Sequence, residues 1–186
     1  MTNVPPSGPQ TLLIRPSSQN PDFLFVHPDG IPIEAPPMYT IQVNKYQKPH
    51  VTVSRGYMSQ ESIIGYVTMH TFSSTTDISV RGQSMPMKES SLSGYYTLNL
   101  PTMGKFKWKP NPFTMSSPEL VDSMDQKLAK LSSVSLTAIG QKKLEIMVPV
   151  ADYFLDFIVV TAYAVRMSLK ANKEIASEVG QAVAGI

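Results

Sequence analysis

Three lysines alternate with two aromatic residues in the segment KFKWK. Lys105, Lys107 and Lys109 would lie on one face of a β-strand, because successive strand side chains point to opposite faces. Phe106 and Trp108 would then face a hydrophobic core. Three ammonium groups on one face attract a multivalent phosphate, and each contributes about 1 kcal/mol near an anionic membrane. The pattern predicts an anionic-lipid site, with an ordinary solvated sheet face as the alternative.

Further lysines would extend this basic surface if neighbouring strands bring them together. Lys127 and Lys130 lie in one segment, and Lys142 and Lys143 lie in the next. The residues predicted to bind an anionic lipid are Lys105, Lys107, Lys109, Lys142 and Lys143.

Two carboxylates are spaced one helical turn apart in the segment ADYFLD. Asp152 and Asp156 would share a helix face, so a coupled catalytic pair is conceivable. No base or metal-ligating residue accompanies them, and we therefore expect structural roles. Asp152 is predicted to cap the first turn, and Asp156 to meet a backbone donor or a basic residue inside the mouth of the fold. Arg166 is predicted near the end of the helix, where it suits the helix dipole.

No other catalytic or metal-binding pattern is present in the sequence. The three histidines, His27, His50 and His70, each stand alone in their segments. The chain has no HExxH, GxxxxGKS/T or GxGxxG motif, and it has no cysteine to serve as a thiol nucleophile or thiolate ligand. We expect no enzymatic activity, no metal and no cofactor.

Composition and charge narrow the possible partners. With 186 residues the chain is long enough for one domain with a sizeable core, and its formal charge of +2 gives no strong field for nucleic acid. The first residues, MTNVPPSGPQ, lack the basic and apolar regions of a signal peptide. Together with the absence of cysteine, this predicts a cytoplasmic or membrane-peripheral location.

The segment Val148–Leu169 would be apolar on every face of a helix, and such a helix must be enclosed. A bilayer-spanning helix needs roughly 20 mainly apolar residues. Charged residues at positions 152, 156 and 166 leave only Phe157–Val165 free of charge between the last two. The sequence therefore predicts a helix near 150–169 that is enclosed by the rest of the chain.

Short segments of alternating apolar and polar residues fill the region from Met38 to Met147, and turn signals separate them. This texture is typical of an antiparallel sandwich or barrel. Met85-Pro86-Met87 is predicted in a loop. The predicted strands are Tyr39–Val43, Val51–Arg55, Ser62–Phe72, Thr76–Arg81, Gly94–Leu98, Lys105–Trp108, Ser133–Ile139 and Lys142–Val148.

The segment PELVDSMDQKLAKLS, residues 118–132, is ambiguous. Leu120, Met124, Leu128 and Leu131 have helical spacing, and Pro118 suits a first helical position. The alternative is a hairpin in which ELVDS and KLAKLSS are strands. Local pattern does not separate the two interpretations.

More than half of the 16 prolines fall in residues 1–37, which are predicted to form a partly ordered arm. Two apolar pieces, Thr11–Ile14 and Phe23–Val26, are predicted to dock as short edge segments on the domain. PPMY at Pro36–Tyr39 resembles the proline-tyrosine ligand of WW domains, with a strand lead-in as the alternative.

The order of these parts resembles the tubby C-terminal-like superfamily, which includes tubby, plant LURP-one-related proteins and phospholipid scramblases, and most closely its small fungal members. The resemblance rests on Phe106 and Trp108 in the aromatic strand, Leu144–Ile146 before the helix and Leu155–Val165 within it. It covers Met38–Leu169.

The resemblance implies a mainly β fold, a closed antiparallel barrel of about twelve strands around a central hydrophobic helix. It also implies a strand pair at 119–132. The predicted organisation is an arm at 1–37, a barrel at 38–169 and an amphipathic tail at 170–186, where Ile175, Val179 and Val183 are four residues apart.

Tubby-type domains bind phosphoinositide head groups, so the resemblance implies a non-enzymatic module that associates with anionic phospholipid at a membrane surface. The alternative function is a protein-interaction or structural module without a lipid ligand. Such a module would use the proline-rich arm and the tail to contact a protein partner.

Overall fold

The structure of the protein is a computed structural model that describes residues 9–70, 73–113, 116–134 and 140–184, with side chains to residue 177. In these residues twelve antiparallel strands form a closed barrel, one α-helix runs through it, and a single 3-10 turn spans Gln60–Ser62. The predicted fold class is confirmed.

Each strand pairs with the next one in the sequence, and β1 pairs with β12 to close the ring. The strands are β1 (Gln10–Pro16), β2 (Phe23–Pro28), β3 (Tyr39–Val43), β4 (Val51–Arg55), β5 (Ile63–Met69), β6 (Thr75–Val80), β7 (Gln83–Glu89), β8 (Tyr96–Leu100), β9 (Gly104–Lys109), β10 (Glu119–Val121), β11 (Lys127–Ser133) and β12 (Lys142–Ile146), and the helix is α1 (Asp152–Ala184).

The alternating strand directions give the barrel two distinct ends. Connections after even-numbered strands, including the one from β12 into α1, lie at one end, which we name the proximal end. Connections after odd-numbered strands lie at the opposite end, where α1 leaves the barrel, and we name this the distal end.

The helix supplies the centre of the hydrophobic core. Every residue from Phe154 to Val165 is buried, as a helix that is apolar on all faces requires. Phe106 and Trp108 of β9 point inward, as predicted, and are 4% and 0% exposed. The indole nitrogen of Trp108 donates a hydrogen bond to the Thr161 hydroxyl at 3.1 Å, and that hydroxyl donates to the Phe157 carbonyl at 2.8 Å. The polar groups inside this part of the core are thereby paired.

Helix and sheet approach most tightly at Gly65 of β5. A Cβ atom there would lie 2.6 Å from Val160 Cγ2 and 3.0 Å from the Ser79 carbonyl oxygen. Glycine at this position therefore permits the close contact between β5 and α1.

The ambiguous segment 118–132 is a strand pair, formed by β10 and β11. Leu120, Leu128 and Leu131 face the core, whereas Met124 lies in the turn and is 82% exposed. The helical spacing of these four residues arises from a hairpin whose two strands each contribute inward side chains. The strand interpretation is confirmed, and the helical interpretation is wrong.

The predicted arm is largely part of the barrel. β1 pairs with β12 and β2, and β2 pairs with β3, so neither strand is an edge segment. The barrel therefore begins at Gln10 and not at residue 38. In the PPMY motif Tyr39 is fully buried in β3, which supports the strand lead-in over a peptide ligand.

The helix is longer than predicted. α1 continues without a break to Ala184, so residues 170–184 extend the central helix instead of forming a separate tail. Arg166 consequently lies in the middle of α1, and the predicted interaction with the end of the helix dipole is wrong. The apolar stripe of Val179 and Val183 falls among residues whose side chains lie outside the described part.

Most predicted strands are present, and β3 and β4 have the predicted bounds. β7 contains Met85-Pro86-Met87, which were predicted in a loop, and both methionines are buried. The predicted strand Ser133–Ile139 is wrong at its start, because Ser133 ends β11. Residues 135–139 lie outside the described residues.

Candidate anion-binding site

A basic pocket of about 270 Å³ lies at the distal end, where α1 leaves the barrel between the ends of β10, β11 and β12. Its lining includes four hydroxyl groups, those of Ser116, Ser117, Ser132 and Ser133. It also includes four basic side chains, those of Lys142, Arg166, Lys170 and Lys173.

Strand and helix periodicity bring these basic groups together. On β12 the side chain of Lys142 has the same direction as those of Leu144 and Ile146, which face inward, whereas the side chain of Glu145 faces outward. Arg166, Lys170 and Lys173 have i, i+4 and i+7 spacing, which places them on one face of α1.

Arg166 carries an unused hydrogen-bond donor. Its Nη1 atom is buried and has no hydrogen-bond partner within the described residues. Its guanidinium carbon lies 5.2 Å from the centre of the Tyr163 ring, a cation–π contact that supports one face of the group. A buried donor without an acceptor costs about 1–3 kcal/mol. An acceptor placed in the pocket would remove that cost.

The positive charges in the pocket are poorly compensated. Among the described residues, Lys142, Arg166 and Lys173 have no carboxylate within 4.0 Å, whereas Lys170 lies 3.6 Å from Glu174. Burial, reinforced by the charges of Arg166 and Lys173, lowers the pKa of Lys142 below its usual value. Lys142 Nζ donates a hydrogen bond to Ser133 Oγ at 2.7 Å. The pocket therefore favours a ligand that carries negative charge and several acceptor oxygens.

The three lysines of β9 lie on the outer surface of the barrel, as their alternation with inward aromatic residues predicts. Lys105 and Lys107 have no ion pair within the described residues. Lys109 is engaged, because its Nζ lies 2.7 Å from Asp125 Oδ1 and 5.5 Å from the centre of the Tyr95 ring.

The other outer lysines of this region alternate with carboxylates. Lys127 and Lys130 contact Glu119 at 2.8 and 3.6 Å, and Lys143 contacts Glu145 at 3.0 Å. The strands β10 and β11 lie between β9 and β12, so β9 and β12 are about 14 Å apart along the sheet. The structure therefore does not bring the five predicted residues together, and only Lys142 among them lines the basic pocket.

A second buried polar cluster lies at the proximal end and is centred on Asp156, which is fully buried. One carboxylate oxygen accepts hydrogen bonds from the Tyr39 hydroxyl at 2.8 Å and from Arg55 Nε at 2.9 Å, and the other accepts from Arg81 Nε at 2.7 Å. Burial and the nearby carboxylate raise the pKa of Tyr39, which keeps its hydroxyl a donor. The prediction that Asp156 meets basic residues is confirmed.

Arg55 also joins the start of the helix to this cluster. Its Nη2 donates to the carbonyl oxygen of Asp152 at 3.0 Å, and its Nη1 lies 3.4 Å from the Asp152 carboxylate. Asp152 is half exposed, so this outer contact is the weaker one. The cluster fixes the position at which α1 enters the barrel.

Within the described residues, no helix combines the length and the apolarity needed to cross a bilayer. Comparison with characterised proteins and with solved structures gave no significant match. The model of one protein family matches residues 29–170, which is most of the chain and includes β3 to β12 with the buried part of α1. The chain therefore belongs to DUF6593, a family of unknown function.

Proposed function

We propose that the protein is a non-enzymatic module that binds the phosphorylated head group of an anionic lipid in the basic pocket at the distal end. The observation that carries this proposal is the unpaired, buried Nη1 of Arg166 beside the uncompensated charges of Lys142 and Lys173. The resemblance to the tubby superfamily leads to the same class of ligand.

The chemistry of the pocket suits a phosphate group. Arg166 supplies a directional donor from a planar guanidinium, while Lys142 and Lys173 act as point charges. The hydroxyls of Ser117, Ser132 and Ser133 supply neutral donors for the remaining oxygens. A volume of about 270 Å³ is below the usual 300–1,000 Å³ of pockets for drug-sized molecules. The acyl chains of a lipid would accordingly stay outside the pocket.

The decisive experiment compares two double variants that each remove two positive charges. Lys142→Gln with Lys173→Gln alters the pocket, and Lys105→Gln with Lys107→Gln alters the outer face of β9. Binding is measured by co-sedimentation with phosphatidylcholine vesicles that contain a phosphatidylinositol bisphosphate. At about 1 kcal/mol for each basic residue, the pocket variant should bind about 30-fold more weakly. The β9 variant should stay within about threefold of the parent protein.

The same pair of variants distinguishes other outcomes. Equal losses in both would indicate diffuse attraction to the surface, and unchanged binding by the pocket variant would refute the proposed site. Arg166→Lys adds a test of geometry, because it keeps the charge but loses the planar fork. Soluble inositol hexakisphosphate, measured by calorimetry, separates recognition of a phosphate group from recognition of a lipid surface.

One contact supports a second candidate function. Ser133 Oγ and Lys142 Nζ are 2.7 Å apart, and the lowered pKa of Lys142 is what a general base requires. In this alternative Lys142 would take the Ser133 proton as Ser133 Oγ attacks an ester carbonyl and would pass it to the departing alcohol, and water would then release the acyl group from Ser133. Ser133→Ala decides between the two, because head-group binding should weaken by about tenfold at most, the loss of one neutral hydrogen bond, whereas ester hydrolysis would cease.

A further inference from the structure

The most exposed large apolar side chains of the described residues lie at one end of the barrel. Leu92 is 99% exposed, and Tyr46 and Phe113 are each 93% exposed. They belong to the connections β7–β8, β3–β4 and β9–β10, which all follow odd-numbered strands. All three therefore lie at the distal end, and the β9–β10 connection of Phe113 also contributes residues to the basic pocket. We name these three residues the distal apolar tips.

Charge is also distributed unevenly between the two ends. The connections at the proximal end carry one basic residue, Arg81, whose side chain is engaged by Asp156, and they carry the acidic residues Asp29, Glu34, Glu61 and Asp122, while Asp125 is paired with Lys109. The connections described at the distal end carry Lys45 and Lys48 against Asp22, in addition to the pocket cations, of which Lys170 is paired with Glu174. An anionic surface would attract the distal end and repel the proximal end.

Single exposed apolar residues are common on soluble proteins and need no explanation. Here three of them lie at the same end of the barrel as a cationic pocket. Apolar side chains beside basic ones are the combination that binds at the interface of an anionic bilayer. We propose that the distal end rests on an anionic bilayer with Tyr46, Leu92 and Phe113 inserted into its interfacial layer. This orientation rests on the proposed function, because the pocket supplies the head-group contact.

The continuation of α1 is compatible with this orientation. Residues 174–184 continue α1 past the pocket at the distal end and, at 1.5 Å per residue, extend it by about 16 Å. Ile175 is 58% exposed on this part of the helix. Glu174 and Glu178 would stay in water, and from Val179 onward the sequence has no charged side chain, so only this last part of the helix would enter the interfacial layer.

The absence of cysteine makes the test direct, because each introduced cysteine is the sole labelling site. Leu92→Cys, Tyr46→Cys and Phe113→Cys would each carry an environment-sensitive fluorophore. Met103→Cys and Tyr57→Cys, which lie in the proximal connections β8–β9 and β4–β5 and are 45% and 60% exposed, are the matched controls. With vesicles of phosphatidylcholine and a phosphatidylinositol bisphosphate, we expect a blue shift and quenching by brominated lipids at the three distal positions. The two proximal labels should not respond.

A triple variant separates the orientation from the pocket. Changing Tyr46, Leu92 and Phe113 together to serine should weaken vesicle binding at least about tenfold and leave inositol hexakisphosphate binding unchanged. Vesicle binding without a response of the distal labels, or with a response of the proximal labels, would overturn the orientation and leave the proposed function standing. If the parent protein did not bind these vesicles at all, both the orientation and the proposed function would be overturned. Distal labels that respond to an added protein partner but not to vesicles would also overturn the orientation.

Discussion

The buried carboxylate of Asp156 offers a sharp test of what holds the helix in the barrel. Asp156→Asn keeps the shape of the side chain but removes the charge that Arg55 and Arg81 share. Removing one partner of a buried ion pair typically costs about 3–5 kcal/mol. The two arginine side chains are 34% and 41% exposed, so water would partly solvate them after the change. We therefore expect the lower value, about 3 kcal/mol.

For a domain of this size each kcal/mol lowers the melting temperature by about 2–4 °C, so Asp156→Asn should lower it by about 6–12 °C. Thermal unfolding followed by circular dichroism measures this shift. Asp152→Asn is the matched control, since it alters a half-exposed carboxylate that contacts the same Arg55 and should cost less than about 1 kcal/mol. A melting temperature of Asp156→Asn within about 2 °C of the parent would refute the reasoning.

Three further changes test the core and the pocket. Val159→Asp should prevent folding, because it places an unpaired charge at a position with 0% exposure; a soluble variant with unchanged thermal unfolding would contradict this. Gly65→Ala should cost about 1–3 kcal/mol in urea unfolding, because its Cβ would lie 2.6 Å from Val160 Cγ2, and Val160→Ala should partly restore stability. Lys142→Gln should raise the melting temperature near neutral pH. Because the pKa of Lys142 is lowered in the folded protein, the unfolded chain binds this proton more tightly. The parent protein should therefore gain stability as the pH rises from the folded pKa of Lys142 towards the pKa of an ordinary lysine. The variant should lack that gain.

The fold was predictable because the strongest sequence signal concerned the centre of the molecule. A helix that is apolar on every face demands an enclosing shell, and the strand texture between Met38 and Met147 supplies most of it. The resemblance to the tubby superfamily then selected a closed barrel over a sandwich. Strand-to-strand closure itself leaves no local signal.

Proline explains the strands that sequence reasoning missed. Pro16 and Pro28 end β1 and β2, where their lack of a donor does no harm, yet they make the region look irregular. In β7 the ladder to β8 involves only Lys88 and Glu89, so Pro86 needs no donor on that side. A proline in or beside a segment therefore argued against a strand, although the observed strand pairing does not need a donor from that proline.

The pocket was only partly predictable. The predicted set includes Lys142 but groups it with the outer-face lysines, whereas Lys142 shares the inward direction of Leu144 and Ile146 on β12. Arg166, Lys170 and Lys173 were missed, although their i, i+4, i+7 spacing on one helix face was a usable signal. Their meeting with Lys142 depends on where α1 leaves the barrel, which the spacing within either segment does not determine.

The seam between β1 and β12 has a practical consequence for producing the domain. The family match starts at residue 29, after both β1 and β2. A chain trimmed to that boundary would leave β3 and β12 as open edges about 14 Å apart, with a strip of α1 uncovered between them. Unprotected edges recruit strands from other molecules, so such a fragment should aggregate. The useful cloning boundary is therefore upstream of Gln10, where the ring of hydrogen bonds begins, even though the recognisable family similarity starts later.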